Sequence, residues 1–344
     1  MLVTSSLRAT SSPRVTSSPG GWRRGRFATL LVVAALAHPD FASAQSQGAE
    51  LVADLHSVFG NHHARAVHAK GIILEGRFTP AREASSLSNA AVFSGGSVPV
   101  TVRFSDFTGI PDIPDNIRDA SPRGFGIRFH AAKGQQFDIV AHSFNGFPVA
   151  NGHDFGLLLR AIAASGPGVA KPTPLETIFE RIPAAKTFLT QQKPPPVSYA
   201  TTPYFGVNAV GLTRPGRPRT VVRYQFVPAA GEHYLDDAEM KSKGANYLIE
   251  EVAARVAAAP IRFDWFAQVA GPDDNAADPS VAWPDTRKRI RLGTITIQRM
   301  GANDAAADKA LALMPGRLPS GIEVVDPMLN VRNEAYPISA RERQ

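Results

Sequence analysis

The chain has 344 residues, of which 44% are apolar, and a formal charge of +7. That length suits one large domain or two ordinary ones and permits a sizeable core. There is no cysteine, which excludes disulfides, thiol catalysis and cysteine-based zinc sites.

Much of the positive charge lies at the N-terminus. Residues 1–44 contain Arg8, Arg14, Arg23, Arg24, Arg26 and a single acid, Asp40; the rest of the chain carries 32 basic and 29 acidic residues, a net charge of +3. No predicted helix there carries a basic stripe interleaved with aromatics, so nucleic acid is not an expected partner. Residues 1–21 are Ser/Thr-rich and unpatterned and read as disordered. A basic cluster, Arg23-Arg24-Gly25-Arg26, then precedes an apolar run, Phe27–Ala37, and the small-residue segment Phe41-Ala42-Ser43-Ala44. This is the layout of a secretory signal. The apolar run is shorter than the ~20 residues a membrane-spanning helix needs. The reading is a signal segment over 1–44 cleaved after Ala44, a periplasmic or secreted product without stable membrane insertion, and one domain over 45–344. The arginine pair leaves Sec and twin-arginine export as alternatives.

The next informative stretch is Arg65-Ala66-Val67-His68-Ala69-Lys70-Gly71, followed at once by the β-prone run Ile72–Phe78. It places His68 at the rim of a strand. Further strand-like runs are Val98–Ser105, Gly124–His130 and Phe137–Ala141, then Tyr204–Leu212, Thr220–Val227, Ile261–Val269 and Leu292–Ile297. Eight such runs predict an α+β fold built on a closed antiparallel barrel, since closure removes the edges of a large sheet. Helices lie between and after them. Phe155, Leu158, Leu159 and Ile162 share one face of a helix near 153–164. Leu175–Thr190 reads as a second helix and Asp236–Ala258 as a long third, while Asp273–Trp283 is a polar loop. A last helix starts with Asp326 as N-cap and Pro327 at its first position. It is expected to end near Tyr336, because Pro337 disfavours the α conformation before it. His62-His63 read as a solvated helix end rather than a metal cluster, and Gly95-Gly96 open no phosphate-binding helix.

Several short motifs then stand in a telling order: His68-Ala69-Lys70-Gly71, Val102-Arg103-Phe104-Ser105, Arg123-Gly124-Phe125-Gly126, Phe137-Asp138-Ile139-Val140 and Arg332-x-x-x-Tyr336. Tyr204-Phe205-Gly206-Val207-Asn208 and Trp283-Pro284…Leu292-Gly293 fit the same series. On these motifs, most of the chain after residue 45 resembles the haem catalases. It stops soon after the Arg-x-x-x-Tyr segment, without the C-terminal helical domain of full-length catalases. It therefore resembles the short branch called catalase-related peroxidases. The resemblance implies an eight-stranded antiparallel β-barrel with flanking helices, a b-type haem, and reduction of hydrogen peroxide or an organic peroxide by a small-molecule electron donor. A homo-oligomer is compatible with it.

The resemblance also assigns roles. Tyr336 matches the iron ligand; haem iron is known to accept a tyrosine oxygen. Arg332, four residues earlier on a helix, stands beside the phenol. His68 matches the acid–base group that takes a proton from peroxide and returns it to the leaving oxygen. Ser105 matches the serine that orients that histidine. Arg65, Arg103 and Arg343 match cations near the haem carboxylates. Phe155 matches a ring stacked on a pyrrole, and it sits equally well on the apolar face of its own helix.

The departures concern the distal side. Where the family has an asparagine, Asp138-Ile139-Val140-Ala141 is followed by His142, with Asn145 three residues on. Phe107 stands for a small channel valine and narrows the approach. Ala120 and Ser121 look inserted before Arg123. These changes predict weak or absent oxygen evolution and a shift toward peroxidase behaviour. The competing readings are a haem enzyme that rearranges hydroperoxides on the same fold, and a non-catalytic barrel that binds haem or an apolar ligand.

Overall fold

The structure, a computed structural model, describes residues 39–131 and 136–344. Most of the expected signal segment, residues 1–38, lies outside the described residues. Eight strands form a ring: β1 (Gly71–Pro80), β2 (Val98–Ser105), β3 (Gly124–His130), β4 (Gln136–His142), β5 (Tyr204–Leu212), β6 (Thr220–Pro228), β7 (Ile261–Val269) and β8 (Arg289–Met300). Each pairs antiparallel with its sequence neighbours. β8 returns to β1, and the single pair His142↔Phe205 joins β4 to β5, which closes the barrel. A ninth strand, β9 (Ile322–Val324), which the sequence reading missed, pairs with β5.

The strands close because their side chains alternate, with one set meeting inside. Phe104, Phe125, Phe226, Phe263 and Trp265 are all fully buried in the same core cluster. Their rings meet as stacked, tilted and edge-on pairs, for example Phe104 on Phe125 at 5.2 Å and Phe125 edge-on to Phe226 at 5.2 Å. The residues between them, such as Arg103 and Ser105, consequently point outward.

The helices surround this ring. They are α1 (Pro39–Phe59), α2 (Ala84–Leu87), α3 (Gly152–Ala163), α4 (Pro174–Arg181), α5 (Pro183–Thr190), α6 (Asp237–Ser242), α7 (Tyr247–Ala258), α8 (Ala305–Ala310) and α9 (Met328–Glu342). Three expectations need correction. The run 175–190 is two helices, because Ile182 precedes Pro183 and takes a non-helical φ of −127°. The run 236–258 is also two, broken around Gly244. Helix α1 was not anticipated, and the expected cleavage point after Ala44 falls within it.

The third correction matters most. α9 begins as expected: Asp326 accepts the Met328 N–H at 2.9 Å, and Pro327 follows with helical φ and ψ. It does not stop at Tyr336 but runs through Pro337 to Glu342. Proline removes one helical hydrogen bond and is unfavourable at this place by about 3 kcal/mol. Packing outweighs that cost. Val331, Ala335 and Ile338 lie against Leu51, Val52 and Leu55 of α1. The extra turn carries Ser339 and Arg343 toward the barrel.

Candidate active site

At one end of the barrel, outward-facing residues line up across three strands. Ser105, Gly124 and His142 are successive partners on β2, β3 and β4; two positions along, Arg103, Gly126 and Val140 form the next row. The His68 loop lies over these rows. His68 N–H donates to the Phe107 carbonyl at 3.0 Å and Ala69 N–H to that of Thr108 at 2.9 Å. Arg103 donates from Nη1 to the His68 carbonyl at 2.9 Å and from Nη2 to that of Ala69 at 2.8 Å. These bonds hold His68 at φ +60°, a left-handed conformation few side chains adopt unless the surroundings enforce it.

The imidazole then meets Ser105, with Oγ and Nδ1 3.1 Å apart. Gly124 makes room for this pair. A Cβ there would lie 2.3 Å from Ser105 Oγ and 2.7 Å from His68 Nδ1. Burial above all, then the neighbouring His142 and Arg103, pushes the His68 pKa down to about 3. The ring is therefore neutral at pH 7 and able to accept a proton.

Helix α9 supplies the facing group. Tyr336 and His68 line one cavity, walled also by Ser105, Val140, Leu313 and Ser339. Arg332 Nη2 donates to the Tyr336 hydroxyl at 2.7 Å, and Arg332 Nη1 to Asn208 Oδ1 at 2.5 Å. Asn208 Nδ2 donates in turn to Asp326 Oδ2 at 2.7 Å. The buried carboxylate and amide thus fix the half-buried guanidinium against the phenol oxygen.

Arg65, Arg103 and Arg343 all border this cavity. Arg65 and Arg103 share one carboxylate, Asp308 of α8, which takes ion pairs from Arg65 and from Arg103 Nε at 3.0 Å, while Arg343 Nη2 donates to the Leu311 carbonyl at 3.2 Å. Burial raises the Asp308 pKa, but Arg103 and Arg65 outweigh it and hold the group below the usual carboxylate range. Burial and the charge of Arg103 push Arg65 down to about 9. Arg343 is 5% exposed, far from the surface disorder its terminal position invites, and its Nε has no partner among the described residues. Three guanidinium groups against one carboxylate leave an excess of buried positive charge that two carboxylates would satisfy.

His142 stands at the same end of the barrel, paired with Gly124, but is not among the cavity walls. Its Nδ1 accepts the Phe144 N–H at a long 3.4 Å, while Nε2 is buried without a partner among the described residues. Burial, then Arg332, pushes its pKa down to about 3. With Nδ1 accepting, the proton of the neutral ring sits on Nε2. Asn145 does not take its place; it lines a separate surface pocket with Lys193 and Glu232. Phe155 is not among the cavity walls. Its ring centre is 5.1 Å from that of Phe147 and it packs where α3 meets α1 and α9, the core role left open for it. Phe107 stands edge-on to His68, with ring centres 5.6 Å apart.

The sequence reading overlooked Gly124, Asn208, Asp308 and Asp326 as parts of this site. Gly124 and Asn208 lay inside quoted motifs, but their roles depend on neighbours distant in sequence. Asp308 follows no motif, and only the fold carries α8 beneath the arginines.

Comparison with known proteins agrees with this geometry. Residues 44–344 match the profile of the family described as catalase. The chain is 31% identical over 329 residues to a catalase-related peroxidase of Synechococcus elongatus, covering 94% of this chain and 96% of that one. It is 34% identical to a catalase-related peroxidase of Mycolicibacterium paratuberculosis, with 81% and 88% covered. A catalase of Pseudomonas syringae pv. syringae is 27% identical, and the match covers 53% of its length. Among solved structures, a bacterial catalase superposes with a TM-score of 0.71 at 24% identity, covering 81% of this chain and 57% of that one. A fungal catalase does so with 0.72 at 20% identity, covering 81% and 59%. At such identities these two structures speak for the fold.

Proposed function

The chain belongs to the catalase family, in its short branch of catalase-related peroxidases, and we propose that it reduces hydrogen peroxide or a small organic hydroperoxide at a b-type haem, with electrons from a small-molecule donor. The observation that carries this is the pairing of His68 and Tyr336 on one cavity rimmed by surplus guanidinium charge. That donor set fits haem: a phenol oxygen for iron, an imidazole for peroxide, and cations for two propionates. Tyr336 would hold the iron, with Arg332 donating to the phenol oxygen, and Arg65, Arg103 and Arg343 would hold the propionates. When bound, haem supplies the two electrons that cleave the peroxide O–O bond.

The chain's own residues manage the protons. His68 Nε2 accepts one from the incoming peroxide and returns it to the departing oxygen as water forms. Ser105 keeps the ring oriented through Nδ1. Burial keeps both His68 and His142 neutral, so neither holds the proton before peroxide arrives. His142 Nε2–H is a second donor toward the distal end, from a ring bulkier than the asparagine amide of the family. We propose that this exchange lowers oxygen evolution relative to donor oxidation.

We further propose export, with residues 1–44 as the signal segment and 45–344 as the haem-binding domain. The n-region, apolar run and small-residue site support it. N-terminal sequencing of the periplasmic protein is expected to start at Gln45; an intact Met1 would overturn it.

The function is tested by loading the protein with haem and following peroxide with and without a donor. A Soret band with donor-dependent consumption of peroxide is the expected result. Haem binding with no peroxide reaction would favour the non-catalytic barrel, and rearrangement of a hydroperoxide without donor oxidation would favour the second enzyme reading.

A further inference from the structure

On the far side of Phe107 from His68 lies a second, larger cavity, open to solvent and of about 760 Å³. Its walls include Phe59, Phe107, Ile117, Ile162, Phe188 and Leu189. Three rings make one corner: Phe107 is edge-on to Phe59 at 6.2 Å and inclined to Phe188 at 5.8 Å. Ile117 and Leu189 are 37% and 36% exposed, unusually open for large apolar side chains. Phe107 is therefore a shared partition. One edge meets the imidazole of His68, and other parts face the vestibule.

The charged side chains of the vestibule are Asp112, Arg118 and Asp119. Arg118 pairs with Asp237 outside it at 3.4 Å. Among the described residues, Asp112 and Asp119 have no ion-pair partner. The vestibule thus combines an aromatic floor with an acidic rim. Edge-to-face contacts suit a flat ring, and an acidic rim attracts cations and repels anions.

We infer that this vestibule seats the reducing substrate, and that the reductant it takes is a small aromatic amine, its ring on Phe107 and Phe59 and its positive charge toward Asp112 and Asp119. The inference rests on the peroxidase reading. Peroxide is small enough to pass the phenyl ring, whereas an arene is stopped beside it. Each amine gives up one electron and one proton from nitrogen. Two of them supply the two electrons and two protons that turn one hydrogen peroxide into two waters, and two aminyl radicals leave.

The test compares 4-aminobenzylamine, a cationic arylamine, with 4-aminobenzoate, its anionic counterpart. Both are titrated calorimetrically into the haem-loaded protein without peroxide. The cation is expected to bind more tightly. The Asp112→Asn/Asp119→Asn double variant is expected to cut that preference about two- to tenfold, the range for exposed charges, and salt to weaken it in the wild type. Ile117→Ser is expected to weaken both ligands. A preference unmoved by the double variant, or a wild type that binds neither ligand, overturns the inference. Binding of the amine with no peroxide-dependent oxidation overturns the peroxidase reading and the vestibule's role with it. Oxidation of both amines with the preference unmoved overturns the vestibule alone.

Discussion

His68 works because of what encloses it. The motif His68-Ala69-Lys70-Gly71 was legible in the sequence, but the left-handed backbone, the clamp from Arg103 and the space beside Gly124 were not, since each joins segments far apart in the chain. His68→Ala is expected to keep haem and slow the reaction with peroxide by about 10²–10⁴-fold, the usual worth of a general acid–base group. An unchanged stopped-flow rate would reduce His68 to a structural residue. Gly124→Ala is expected to displace Ser105 and His68 and to lower stability by about 1–3 kcal/mol, as overpacking does. His142→Asn tests the balance of activities, with oxygen evolution expected to rise relative to donor oxidation; a fixed ratio removes His142 from the mechanism. The two imidazoles also carry a pH signature. Each has a folded value near 3 and an unfolded value of about 6.5. Between those values the unfolded chain binds more protons, so folding stability is full above about pH 6.5 and falls as pH drops toward 3. Urea unfolding of the haem-free protein at several pH values is expected to show this decline, shallower in His142→Asn. Equal slopes in the two proteins would place His142 in water.

At the scale of elements, the site is the cavity between α9 and the barrel face formed by β2, β3 and β4, and α9 packs on α1. Strand limits were readable because alternating apolar residues end at Gly, Pro and Asp; Val98–Ser105, Gly124–His130, Tyr204–Leu212 and Ile261–Val269 have the predicted bounds. Helix ends were less readable. Pro337 is a local stop signal, and the apolar contact of α9 with α1 overrides it. Leu51 is 5% exposed at that contact. Leu51→Ala is expected to cost about 2–5 kcal/mol, as for other buried leucines cut to alanine. It is also expected to speed haem loss, because α9 carries both Tyr336 and Arg332. A lowered melting temperature with unchanged haem retention would show that α1 stabilises the fold without positioning the site.

At the scale of the whole molecule, closure of eight strands gives a rigid wall on which one end collects the proton-handling groups, while α8 and α9 bring the charges and the phenol from the other end of the sequence. The order of motifs carried the architecture, since each motif is a strand, a loop or a helix face of the site. What the order could not carry was the relay from Tyr336 through Arg332 and Asn208 to Asp326, which needs β5 beside α9. The account depends most on Tyr336 as the group that holds iron. Tyr336→Phe, loaded with haem and read by its absorption spectrum and haem content, tests this directly. The account predicts loss of haem or a marked shift of the Soret band. Unchanged haem content with an unchanged spectrum would contradict it.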